Sequence, residues 1–206
     1  MNKYNNVLTP NELFEFMQEN ITYGYLSKDG KIHHFYDQDF NDDWYNKYTL
    51  QSAEEVINNK VGNCWDQVEL ERQWFEENGY IVKTFYEMIK LDYENIYPTH
   101  SFLAFKDKEN DNWYWFENAD FNNRGIHKFD NIDSLLKYQI DKYIELLHTF
   151  DIKDIELEHL IITTFEKPKK NSSAEEYIYH TMMSDDIKIS FQGNKKWYKV
   201  IIRYFN

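Results

Sequence analysis

Only one cysteine, Cys64, occurs in this chain of 206 residues. That scarcity excludes an intramolecular disulfide and a cysteine-rich zinc site, and it leaves a free thiol suited to a reducing compartment. Long apolar runs are missing too: each is only a few residues, whereas a bilayer span needs roughly 20. Met1 to Pro10 lacks the basic start and apolar stretch of an export signal. A soluble, unexported, cytoplasmic protein with no membrane partner is therefore expected. Positive charge is in short supply, with 23 Lys and Arg against 36 Asp and Glu and a formal net charge of −13. Such a surface repels a phosphate backbone, which argues against nucleic acid as a partner. Proline (3) and glycine (6) are scarce, and no segment is of low complexity or repeats another.

Aromatic residues are plentiful, at 18% of the chain, and large rings of this kind fill a folded core. The length suits one substantial core, so residues 1–206 are expected to form a single domain. Thr9-Pro10-Asn11-Glu12 is a capping box with proline at the first helical position, ahead of Leu13, Phe14 and Met17 at helical spacing. Lys28-Asp29-Gly30 marks a tight turn inside a hairpin over Ile21 to Phe35. Residues 37–47 are acidic and irregular. Ser52-Ala53-Glu54-Glu55 starts a second short helix, which ends before Gly62. A third runs from Cys64 to about Asn78, with Gly79 as its left-handed stop. Cys64, Val68 and Phe75 share one face of it, while Asp66, Glu69, Gln73 and Glu76 take the other.

Four strand-like runs follow, over 81–85, 99–105, 113–116 and 126–129, and they suggest an antiparallel sheet. Asp133 then reads as the cap of an amphipathic helix carrying Leu135, Leu136, Ile140, Ile144 and Leu147. A strand over 160–165, a capped helix over 173–183 and a closing hairpin over 187–204 complete the chain. Helices first and strands after argue for an α+β fold.

The chemistry centres on Cys64. A thiol attacks carbonyls as the thiolate, and the unpaired amides of a helix N-terminus favour negative charge there. Such a nucleophile also needs a histidine within reach and a third group to orient the imidazole. Of the seven histidines, His100 opens a strand-like run, and the next run ends in Glu117. If the two runs pair as a hairpin around the 106–112 turn, His100 lies directly opposite Glu117. Asn118 and Asp120 stand close by as rivals, although strand alternation points both of them the other way.

Gly62-Asn63-Cys64-Trp65, Thr99-His100-Ser101-Phe102 and Trp113-Tyr114-Trp115-Phe116-Glu117 together resemble the transglutaminase-like superfamily. The resemblance covers roughly residues 50–130, and it departs from the family at Glu117, where aspartate is usual. It implies a papain-like core over about 50–150, in which the cysteine helix packs on an antiparallel sheet. N-terminal and C-terminal helix-and-hairpin extensions flank that core. It further implies Cys64 as nucleophile, His100 as general base and then acid, Glu117 as the orienting carboxylate, and the Cys64 N–H as part of an oxyanion hole. Trp44, Tyr45 and Gln51 are candidates for the second oxyanion donor.

The expected function is thiol-dependent acyl transfer or amide hydrolysis, as in a transglutaminase-like enzyme, protease or deamidase. The substrate would be a polypeptide or an amine, and no cofactor is needed. The alternative is a catalytically inactive binding module of the same fold. Bland readings apply elsewhere. Glu71, close to the Cys64 face, reads as half of a buried salt bridge to Arg72, Arg124 or a lysine. His33 and His34 with Asp37, Asp39, Asp42 and Asp43 match no defensible metal-ligand spacing and read as a solvated acidic loop. Tyr177, Tyr179, Trp197 and Tyr198 read as core and sheet packing, and His127 as an exposed strand residue.

Overall fold

The structure, a computed structural model, describes residues 6–89, 98–150 and 160–183, together with the backbone of 188–192 and 199–203. Helix α1 (Pro10–Asn20) starts where Thr9 and Glu12 cap one another reciprocally, and it buries Leu13 and Met17. Strands β1 (Thr22–Leu26) and β2 (Ile32–His34) form the expected hairpin. The acidic segment that follows contains one short helix, α2 (Trp44–Lys47). Ser52 and Glu55 cap helix α3 (Ala53–Asn59), which is followed by the two-residue strand β3 (Val61–Gly62) and helix α4 (Cys64–Glu77). Gly79, at φ +73°, supplies the left-handed stop.

β1 sits between β2 and β3 and runs parallel to β3, with Thr22 opposite Val61 and Tyr23 opposite Gly62. Gly24 makes this insertion sterically feasible. A Cβ there would stand 2.3 Å from the His33 carbonyl oxygen and 2.5 Å from a Val61 methyl, so only glycine fits between the two neighbours.

The main sheet contains β4 (Ile81–Ile89), β5 (His100–Lys106), β6 (Trp113–Glu117), β7 (Gly125–Phe129) and β8 (Leu160–Thr164). Its order is β7-β6-β5-β4-β8 and every neighbouring pair is antiparallel. Helix α5 (Ile132–His148) and helix α6 (Ala174–Met183) complete the helices, and β9 (Lys188–Gln192) pairs with β10 (Lys199–Arg203). The fold is α+β. Side-chain alternation gives the main sheet two covered faces. On one, Met88, Leu103, Phe105 and Phe116 join a core with Val68 and Phe75 of α4. On the other, Phe85, Phe102, Ala104 and Trp115 pack with Leu136, Ile140 and Leu147 of α5.

Three sequence expectations need correction. The cap of α5 is Asn131, whose Oδ1 accepts the Ser134 amide at 2.9 Å; Asp133 lies inside the first turn. Of the four α4 residues assigned to an outer side, Asp66 and Glu69 are buried, Gln73 is half-buried and Glu76 is exposed; Tyr48 and Gln51 close over Asp66, and the buried Arg72 pairs with Glu69. Glu71 makes no salt bridge among the described residues. Arg72 pairs instead with Glu69 at 3.0 Å, and Arg124 donates to the Asn118 carbonyl at 2.7 Å.

Tyr177 is fully buried and stacks on Trp65 at 4.4 Å, while Tyr179 is exposed; Trp197 and Tyr198 lie outside the described residues. Among the described residues no helix is long and apolar enough to cross a membrane, and no three His, Cys, Asp or Glu side chains are grouped to hold a metal ion.

Candidate active site

Local sequence places the sulfur. Asn63 caps α4, its Oδ1 accepting the Trp65 and Asp66 amides at 3.0 and 3.1 Å, and the Asp66 carboxylate accepts the Asn63 amide at 3.2 Å. Cys64 is thus the first helical residue, and its own N–H is left outside the cap. Asp66 is held in turn by the Tyr48 hydroxyl and the Gln51 amide, each at 2.9 Å. Burial pushes its pKa up to about 7 against these three donors, which favour the carboxylate. The Cys64 sulfur is buried 4.0 Å from the Thr99 carbonyl, at the entry to β5.

His100 begins β5, and its Nε2 lies 2.8 Å from Glu117 Oε2. The other Glu117 oxygen accepts the Ala119 and Asp120 amides at 2.8 and 2.7 Å, so both oxygens of this buried carboxylate are fixed. The two residues do not face each other directly. Leu103 pairs with Phe116 and Ala104 with Trp115, which extends to Glu117 opposite Phe102, two residues further along β5 than expected. An offset of two keeps the side chains on the same face, so the diagonal pair still meets.

Burial alone would lower the His100 pKa. The charge of Glu117 and the neighbouring Cys64 sulfur override it and hold the imidazole well above its usual value. Since Nε2 is engaged by Glu117, Nδ1 is the nitrogen left for the sulfur. The rivals are occupied elsewhere. Asn118 donates to Gln67 Oε1 at 2.6 Å and accepts from Gln18, while the Asp120 carboxylate accepts from the Asn122 amide and from Asn123.

Cys64 and His100 line one cavity of about 570 Å³. Its walls include Tyr23, Tyr25, Phe40, Trp44, Trp65 and Phe121, with Leu146 and Phe150 from the end of α5 and just beyond it. Among the described residues Asp120 is its single carboxylate, and neither lysine nor arginine lines it. The aromatic surplus therefore serves the cavity wall as well as the core.

Of the three candidate oxyanion donors, Gln51 is buried with its side-chain amide on the Val61 carbonyl at 3.0 Å, and Tyr45 packs edge-on against Trp44 at 6.0 Å without lining the cavity. Trp44 does line the cavity, packed edge-on against Trp65 at 5.6 Å. Tyr23, which no spacing singled out, lies with its hydroxyl against the Cys64 sulfur and amide. Burial, and then the charge of Cys64, raise its pKa well above the usual phenol value. His127 is away from this cavity, stacked on Trp115 at 4.9 Å with Nε2 on the Asn123 carbonyl.

Two further carboxyl groups surround the His100–Glu117 pair. Glu71, buried under the sheet, is pushed well above the carboxylate range by burial and then by the like charge of Glu117. Glu87 is directly opposite His100 in the β4–β5 ladder; its Oε1 lies 2.5 Å from Gln139 of α5, and burial pushes its pKa up to about 8.

No family model, curated protein or solved structure matches this chain.

Proposed function

We propose that the chain is a thiol-dependent acyl-transfer or amide-hydrolysing enzyme of transglutaminase-like, papain-like type, with Cys64, His100 and Glu117 as its catalytic group. The observation that carries this reading is the convergence of three elements on one cavity. A cysteine opens a capped helix, a histidine beside the sulfur is held through Nε2, and the holding carboxylate is itself fixed by two backbone amides.

In this mechanism the Cys64 sulfur attacks a carbonyl carbon and its proton resides on His100. The tetrahedral intermediate collapses as His100 protonates the leaving amine, and a thioester remains on Cys64. Water or an acceptor amine then attacks the thioester, with His100 taking and returning the proton. Glu117 keeps the imidazole in the tautomer that presents Nδ1 and stabilises the imidazolium. The lining favours neutral or cationic acyl groups with an apolar body. A donor bearing several phosphates would find no counter-charge there.

The test is the rate of Cys64 alkylation by iodoacetamide as a function of pH, in the wild type and in His100→Ala. The wild-type rate should reach its plateau at lower pH than the variant's, because an imidazolium partner favours the thiolate. Superimposable profiles would overturn the proposal and leave a binding module of the same fold.

A further inference from the structure

A tetrahedral intermediate on Cys64 needs two donors for its oxyanion, and the helix supplies only one. The Asn63 cap engages the Trp65 and Asp66 amides, which leaves the Cys64 N–H directed at whatever stands before the helix. What stands there is Tyr23. The parallel ladder sets Tyr23 opposite Gly62, two residues ahead of Cys64, and Gly24 allows β1 to lie this close to β3. Tyr23 and Cys64 line the same cavity. The Tyr23 ring is fixed between Phe40 at 6.4 Å and Phe121 at 5.8 Å, so its hydroxyl is preorganised beside both the sulfur and the amide.

We infer that the Tyr23 hydroxyl is the second oxyanion donor of the Cys64 site, an inference that rests on the acyl-transfer reading above. Without substrate the hydroxyl faces the sulfur and the Cys64 amide. When a carbonyl enters, its oxygen takes the place of the hydroxyl as acceptor of the Cys64 N–H, and Tyr23 turns its O–H toward that oxygen. As the C–S bond forms, the carbonyl π pair moves onto oxygen, and both donors shorten onto the resulting anion. When that pair returns, the C–N or C–O bond breaks and the leaving group takes its proton from His100. Tyr23 donates throughout and never surrenders its proton. Its raised pKa suits that role, since the phenol stays neutral across the working range.

Two reagents separate this role from a structural one. Acylation of Cys64 by p-nitrophenyl acetate passes through an oxyanion, whereas alkylation by iodoacetamide does not. Tyr23→Phe should slow the acylation burst on the order of 10²-fold, the cost typical of losing one oxyanion donor, while alkylation stays unchanged or quickens. Melting curves of the wild type and of Tyr23→Phe establish that the variant is folded.

Equal loss of both rates in Tyr23→Phe would make Tyr23 a structural or thiolate-stabilising residue and overturn the inference. So would an unchanged burst. A wild type that alkylates but does not acylate at Cys64 would remove the acyl-transfer reading itself, and the Tyr23 role with it.

Discussion

Helices α4 and α5 cover the same five-stranded sheet from opposite faces, yet they are built on different principles. α5 is a surface helix: 7 of its 17 residues are buried, and all but Gln139 and Tyr143 are aliphatic. α4 is enclosed: 11 of its 14 residues are buried, including Asp66, Gln67, Glu69, Glu71 and Arg72. An apolar stripe makes α5 adhere, and many substitutions of similar volume would serve it. In α4 each buried polar group needs a partner, so the helix is tied to one register and one neighbour set. Glu69 has Arg72, Gln67 has Asn118, and Asp66 has Tyr48 and Gln51. An enclosed helix of this kind holds its first residue in a fixed place, which is what a nucleophile at that position requires. The proposed site lies at the start of β5, where Cys64 of α4 meets a histidine whose strand face is otherwise covered by α5.

The comparison can be broken most decisively at Glu117, which belongs to neither helix. If the site depends on the meeting of both faces, Glu117→Gln should reduce the p-nitrophenyl acetate burst by roughly 10³- to 10⁴-fold, as expected when the orienting carboxylate is lost. Asp120→Asn should cost less than about tenfold, since Asp120 orients no catalytic group. The reverse order would transfer the orienting role to Asp120.

A second prediction concerns the buried acid on the α5 face. Glu87 keeps its proton up to about pH 8 when folded, against a usual value of 4.5. Between these limits the unfolded chain releases the proton first, so stability is greatest below pH 4.5 and declines as pH rises to about 8. Glu87 alone would account for a loss on the order of 5 kcal/mol across that window. Glu87→Gln should remove this part of the slope, because a neutral amide can still bond Gln139. Urea unfolding at about pH 5 and pH 8 reads the difference, and parallel slopes in the two proteins would disprove it.

The smallest effect tests the replaceable side of the comparison. Ile140→Val in α5 should cost about 1 kcal/mol in urea unfolding and leave iodoacetamide alkylation of Cys64 untouched. A change in alkylation would show that α5 helps to set the site as tightly as α4 does.

Much of this architecture is legible in the order of the amino acids. Capping boxes at Thr9 and Ser52 and the left-handed Gly79 mark helix ends, because caps are local chemistry. The helical spacing of Leu136, Ile140 and Leu147 fixes the buried side of α5 for the same reason. Glu71 is the clearest departure. A buried carboxyl suggests an ion pair, yet Glu71 makes none among the described residues, and burial raises its pKa well above the usual carboxylate range instead.

By itself, the sequence determined that Cys64 opens a helix and that His100 and Glu117 share one face of a sheet. Helix periodicity, N-cap chemistry and strand alternation are properties of neighbouring residues. Only the tertiary structure decided the two-residue offset of the β5–β6 register, the enclosure of Asp66 and Glu69, and the presence of Tyr23 beside the sulfur. Alternation has a period of two and cannot distinguish registers that differ by two. The Tyr23–Gly62 pairing joins positions about forty residues apart, and no local preference encodes it.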